Sequence, residues 1–116
     1  MKEEGLPGSE RLRGHGAIQK LIRAGRSVED ELLVLKYQPS QLDPPGRRIA
    51  VAVSRGRGGA VSRNRLRRRL REIYRLRRKR LPATGDFLLI ARNAAHAASY
   101  RELEASFLRL ADDLAD

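Results

Sequence analysis

Hydrophobic positions recur along the chain with two different periods, and the alternation between them outlines the elements. Ala17, Ile18, Leu21 and Ile22 stand at helical spacing with Gly25 as a stop, which predicts a helix of about ten residues. Leu32-Leu33-Val34-Leu35-Lys36-Tyr37 reads as a strand, or equally as buried helix. Pro39, Pro44, Pro45 and Gly46 force a loop over 38–48. In Ile49-Ala50-Val51-Ala52-Val53 the large residues fall on one face of a strand and the alanines leave the other face shallow. That shallow face is either a groove or a place where a helix packs closely.

Leu66, Leu70, Ile73 and Tyr74 form the apolar stripe of the longest predicted helix, over about 62–80, with Ser62 as N-cap and Leu81 closing the stripe. Pro82 and Gly85 end it. Asp86–Ala91 reads as a buried strand and Arg92–Ala98 as a loop. Ser99-Tyr100-Arg101-Glu102 is a capping box opening a last helix with Leu103, Phe107, Leu110 and Leu114 on one face. Its acidic C-terminal end opposes the macrodipole, so its last turn should fray. Residues 1–11 mix glycine, proline and charge without periodicity and read as a flexible leader.

Composition narrows the class. The chain has 116 residues, sufficient for one domain, and no cysteine, which excludes disulfides and thiolate chemistry. Apolar runs reach only about five residues, far below a membrane span, and no apolar segment follows Met1. A soluble cytoplasmic protein with no membrane partner is expected.

Charge changes the picture most. The net charge is +11. Between Arg47 and Arg80 lie 14 Arg, Lys79 and a single acid, Glu72, whereas the rest of the chain is net acidic. In the 62–80 helix, Arg63, Arg65, Arg67, Arg68, Arg69, Arg71, Arg75 and Arg78 cover most of the circumference outside the apolar stripe. Like charges three and four residues apart repel by a few tenths of a kcal/mol per pair. A merely solvated helix would alternate signs, so the pattern predicts a polyanion-binding face, and arginine favours phosphate. Residues 55–60 form a glycine-rich loop between Arg55 and Arg57, read either as a phosphate cradle or as a plain strand-to-helix turn.

Candidates for catalysis are few. His15 and His96 sit among small residues away from acids, and no metalloprotease, nucleophile-elbow or Asp-x-Asp pattern occurs. Of the acidic runs, only Glu29-Asp30-Glu31 beside a strand is placed to hold a divalent ion. No catalytic or metal-binding residue is assigned.

The stretch Gly59-Ala60-Val61-Ser62-Arg63-Asn64-Arg65-Leu66-Arg67-Arg68-Arg69-Leu70-Arg71-Glu72 resembles the signature of the bacterial ribonuclease P protein component, centred on Arg63-Asn64-Arg65. Val53-Ser54-Arg55 with Arg57 and Gly58, Asp86–Arg92, and Ser99–Leu103 are similar to further family segments in the same order. The resemblance implies a single compact α/β (α+β) domain over 12–116, a sheet of about four strands packed by three helices, with a left-handed β-α-β crossover. It implies a subunit of a ribonucleoprotein endoribonuclease that removes the 5′ leader of precursor tRNA, catalysis residing in the RNA subunit with its bound Mg2+. No organic cofactor and no obligatory protein partner are implied. RNA-binding positions would be Arg55, Arg57, Arg63, Asn64, Arg65, Arg67, Arg68 and Arg71. The leader cleft would comprise Ile18, Ile22, Lys36, Ala50 and Ala52. Here the chain departs from the family: aromatics are usual where Ile18, Ile22 and Lys36 stand, Tyr37 falls on the opposite strand face, and Glu31 occupies a usually basic position.

Overall fold

The computed structural model describes residues 8–54 and 59–115. Four strands, β1 (Arg26–Glu29), β2 (Leu33–Gln38), β3 (Arg47–Val53) and β4 (Gly85–Ala91), form one mixed sheet in the order β1-β2-β4-β3. Helices α1 (His15–Ala24), α2 (Ala60–Arg77) and α3 (Tyr100–Ala115) cover it. β3 and β4 are adjacent and parallel, joined through α2, while the other pairings are antiparallel.

Strand alternation assigns the two faces. Toward α2 and α3 point the rows Leu33–Ala91–Val53, Leu35–Leu89–Val51 and Tyr37–Phe87–Ile49, and these join Leu66, Leu70, Ile73, Tyr74, Leu103, Phe107, Leu110 and Leu114 in the main core. Toward α1 point Val34–Ile90–Ala52, Lys36–Leu88–Ala50 and Gln38–Asp86–Arg48. Among the described residues only a small apolar cluster, Leu12, Leu21 and Leu88, is buried there, with Ala17, Ile18, Ala50 and Ile90 partly buried around it. One ten-residue helix is too short to cover four strands. The strand reading of Leu32–Tyr37 is thereby correct, and Tyr37 lies on the main-core side, its ring 5.3 Å from that of Phe87.

Asp86 is fully buried and takes both Nε and Nη2 of Arg48 at 2.9 Å, with Gln38 Nε2 at 3.5 Å. A buried carboxylate persists only when paired and hydrogen-bonded, so Arg48 belongs to the fold.

Several elements differ from the sequence reading. β1 carries one apolar residue, Val28, and gave no periodic signal; its pairing with β2 makes it a strand. α2 begins two residues early, at Ala60 with Gly59 as N-cap, so Ser62 lies inside the helix and caps nothing. It ends at Arg77, and a 3-10 turn, Arg78–Arg80, carries the chain to the buried Leu81. Residues Asn93–Ala97 form a further 3-10 turn within the expected loop. The capping box is formed as read, Ser99 N–H to Glu102 Oε1 at 2.8 Å and Glu102 N–H to Ser99 Oγ at 3.1 Å. The end of α3 is held against the expected fraying: Arg26 of β1 donates to the carbonyls of Leu114 (2.8 Å) and Asp113 (3.2 Å).

Gly25 ends α1 for a steric reason, since a Cβ there would stand 2.5 Å from the Leu21 carbonyl oxygen. Gly85 opens β4 at φ 144°, a conformation disfavoured for other residues, and its Cβ would stand 2.3 Å from Tyr37 Cε1. Gly85→Ala should therefore lower the unfolding free energy by about 1–3 kcal/mol in urea titration; an unchanged midpoint would contradict this placement.

The turn between β1 and β2 depends on Asp30. Its Oδ1 accepts the N–H groups of Leu32 (2.9 Å) and Leu33 (3.0 Å), and its Oδ2 accepts from Ser106 Oγ (2.6 Å) and Arg109 Nη2 (2.9 Å). Burial alone would raise its pKa, but these bonds outweigh burial and hold it below the ordinary value. The resulting stabilisation is complete above the unfolded-state pKa, about 3.9, and is lost as pH falls through the lower folded-state value. Asp30→Asn should cost about 1–3 kcal/mol at neutral pH. The gap to wild type should close as acid unfolding curves are taken below pH ~4.

Candidate nucleic-acid interface

The rotation of α2 decides where its cations point. With Leu66, Leu70, Ile73 and Tyr74 turned inward, a rotation of about 100° per residue places Asn64, Arg67, Arg68, Arg71 and Arg75 around one flank. Arg65 and Arg69 fall on the other, while half-buried Arg63 lies at the margin of the apolar stripe. The motif is thus split, Arg63 and Arg65 leaving the helix about 200° apart.

A residue absent from the predicted set completes the first flank. Leu12 N–H donates to the Ile49 carbonyl at 2.8 Å, and Arg11 pairs with Ile49 on the outer edge of β3. Arg11 thereby joins Asn64, Arg67, Arg68, Arg71 and Arg75 around a hollow of about 380 Å³ that also includes Glu72. Burial first, then repulsion from Arg11 and Arg67, lowers the pKa of the Arg71 guanidinium. Arg67 donates to Asn64 Oδ1 at 2.9 Å, fixing the amide's orientation. Nothing local marks Arg11; only its pairing with β3 brings it to α2.

Ion pairing divides the basic run into two parts. Arg75 pairs with Glu72, Arg77 with Glu104 (2.9 Å), Arg78 with Glu10 and Arg80 with Asp112 (2.7 Å). Glu10 also accepts from the buried Tyr74 hydroxyl at 3.0 Å, and burial followed by this bond holds the phenol pKa above its ordinary range. By contrast, among the described residues no carboxylate pairs with Arg65, Arg67, Arg68, Arg69 or Arg71. The C-terminal part of the run is neutralised by the fold, and the arginines from Arg65 to Arg71 keep their charge without a partner carboxylate among the described residues. Arg55 and Arg57 lie outside the described residues.

The residues read as a cleft share one side of the sheet. Ala50 is in register with Leu88 and Lys36, and Ala52 with Ile90 and Val34. Ile18 packs partly buried against Leu12, Leu21 and Leu88, so part of its surface is ordinary core. Ile22 is 44% exposed. Ala52 is exposed and Val34, Lys36 and Ile90 are half-buried, leaving an apolar strip beside α1 with one cation, Lys36. Among the acids weighed as ion ligands, Glu29 pairs with Arg92 (3.1 Å) and Asp30 holds its turn. Neither histidine pairs with a carboxylate among the described residues, and His96 Nε2 lies 3.3 Å from the Ser54 carbonyl oxygen.

Residues 6–115 match the family described as Ribonuclease P. The chain is 42% identical over 105 residues to the ribonuclease P protein component of Acidothermus cellulolyticus, covering 90% of this chain and 88% of that one. It is 33% identical over 100 residues to that of Clostridium acetobutylicum, covering 86% and 84%. The RNase P protein from Thermotoga maritima superposes with TM-score 0.78 at 25% identity, over 90% of this chain and 96% of that one. The Staphylococcus aureus RNase P protein shares the fold, with TM-score 0.77 at 23% identity over 87% and 91%.

A cluster of unneutralised guanidinium groups stores repulsion that a bound oxyanion relieves. Sodium sulfate should therefore raise the thermal midpoint more than sodium chloride at matched ionic strength. Replacing Arg67, Arg68 and Arg71 by Gln should remove most of that difference. Equal midpoints for the wild-type protein in the two salts would show that these side chains form no anion site.

Proposed function

The chain belongs to the ribonuclease P protein family, and from that membership we propose that it is the protein subunit of a ribonucleoprotein that removes the 5′ leader of precursor tRNA. In this reading the motif flank of α2 grips the phosphates of a catalytic RNA. The observation that carries it is the division of the basic run: the fold neutralises Arg75, Arg77, Arg78 and Arg80 and, among the described residues, leaves Arg65, Arg67, Arg68, Arg69 and Arg71 without a carboxylate partner. Each guanidinium forks onto two phosphate oxygens, and each contact releases condensed counterions. Asn64 lies on the flank of Arg67, Arg68 and Arg71, Arg63 lies at the margin of the apolar stripe, and Arg55 and Arg57 precede α2 in sequence.

The strip beside α1 would receive the leader as an extended single strand. Val34, Ile90 and Ala52 offer apolar surface to bases, Ile18 and Ile22 border it, and Lys36 offers a cation to a phosphate. Without aromatic planes in this strip, binding would rest more on charge than on stacking. The reaction, hydrolysis of the phosphodiester at the leader's 3′ end, is assigned to the RNA and its Mg2+, with no organic cofactor. Among the described residues no three imidazole or carboxylate groups converge on a common point. No helix among the described residues is long and apolar enough to cross a membrane.

Purified chain incubated with precursor tRNA and a bacterial ribonuclease P RNA should stimulate cleavage at low Mg2+, and the chain alone should cleave nothing. Arg67→Gln with Arg71→Gln should weaken binding to the catalytic RNA and lower the log–log salt slope by about 0.7–0.9 per lost contact. Arg77→Gln with Arg80→Gln should leave that slope nearly unchanged. Lys36→Ala should reduce affinity of the assembled particle for precursor tRNA while sparing mature tRNA. Equal slopes for both arginine pairs would mean that net charge alone drives binding.

A further inference from the structure

A second concentration of positive charge lies on the opposite side of the sheet from α2. From Arg11 to Val28 the chain carries Arg11, Arg13, Lys20, Arg23 and Arg26 and no acid. Together with the 47–80 run this accounts for nearly all the cations; the remaining residues hold five against thirteen acids. The structure assigns the five differently. Arg11 faces the α2 hollow and Arg26 binds the end of α3. Lys20 and Arg23 on α1, and Arg13 two residues before it, are left, all exposed. Among the described residues none of the three pairs with a carboxylate, and Lys20 reaches only the amide oxygen of Gln41 at 3.2 Å.

The order of side chains around α1 connects this face to the strip. Leu21 faces the sheet, Ile18 and Ile22 lie on one flank about 60–100° away, and His15, Gln19 and Arg23 follow about 120–200° away. His15, Gln19, Lys20 and Arg23 border a shallow hollow of about 540 Å³ with Gly16 and Ala24. Apolar flank and polar ridge are neighbours on one helix. A strand whose bases lie against Ile18 and Ile22 therefore meets Gln19 and Arg23 next.

We propose that the outer face of α1, through Lys20 and Arg23 together with Arg13 just before the helix, is a second phosphate-binding surface that takes the backbone of the single-stranded leader after it leaves the strip. This rests on the leader reading above and deepens it: α2 holds the catalytic RNA, the strip holds the leader nearest the cleavage site, and α1 holds the leader farther upstream. Two cationic faces separated by the sheet let one chain contact both RNAs at once.

The test uses the assembled ribonucleoprotein and precursor tRNAs with leaders of about 4 and about 16 nucleotides. Wild type should bind the long-leader substrate more tightly than the short one. The triple variant Arg13→Gln, Lys20→Gln, Arg23→Gln should lose about tenfold in affinity for the long leader and lower its salt slope by about 0.7 per lost contact. It should bind the short-leader substrate and the catalytic RNA as wild type does. The charge-conserving Arg13→Lys, Arg23→Lys variant should retain the long-leader gain. Unchanged long-leader affinity in the triple variant, an equal loss on both leaders, or a loss of catalytic-RNA affinity overturns the proposal. The function reading fails separately, if Arg67→Gln with Arg71→Gln keeps full affinity for the catalytic RNA.

Discussion

Burial of Leu66, Leu70, Ile73 and Tyr74 against the sheet fixes the rotation of α2, and with it the direction of every arginine that the helix carries. Each such side chain contributes about 1.5–3 kcal/mol. Between Arg63 and Arg75 there are about six arginine pairs at three- or four-residue spacing, each costing a few tenths of a kcal/mol. Packing outweighs repulsion by several-fold, so the helix tolerates a charge density that would be unfavourable in isolation. The repulsion that remains is concentrated near Asn64, where an anion can relieve it.

The same packing decides which cations are neutralised. The last turn of α2 and the 3-10 turn after it run beside α3 and residues 8–10, which supply Glu104, Asp112 and Glu10. Among the described residues, no carboxylate pairs with Arg65, Arg67 or Arg68 in the first half of α2. A run that is nearly uniform in sequence becomes asymmetric in space: one end is bound into the fold and the other is presented outward.

The two faces of the sheet differ for a related reason. α2 and α3 together cover one face and build the main core, whereas α1 covers the other, where Leu12, Leu21 and Leu88 form the small buried apolar cluster. The buried Arg48–Asp86 pair closes one end of the thinner face. Alanines at positions 50 and 52 keep its floor low, and the uncovered strip follows from helix length and side-chain size.

The sequence alone determined the helices, three of the four strands, the stripe of α2 and the motif centred on Asn64, because each is written in local periodicity or contiguous residues. Tyr37 and Lys36 were assigned correctly to opposite faces for the same reason. What the tertiary structure decided lies between segments far apart in the chain. β1 exists because β2 offers it a partner; Arg11 reaches the α2 flank through its pairing with β3; Arg26 holds the end of α3; and Asp30 ties the β1–β2 turn to α3 through Ser106 and Arg109. Ser62 lost the capping role because α2 starts one half-turn earlier, after Gly59. Charge in a sequence is a sum, but which charges remain available to a ligand depends on the partners that folding brings within a few ångströms, and local pattern carries no record of them.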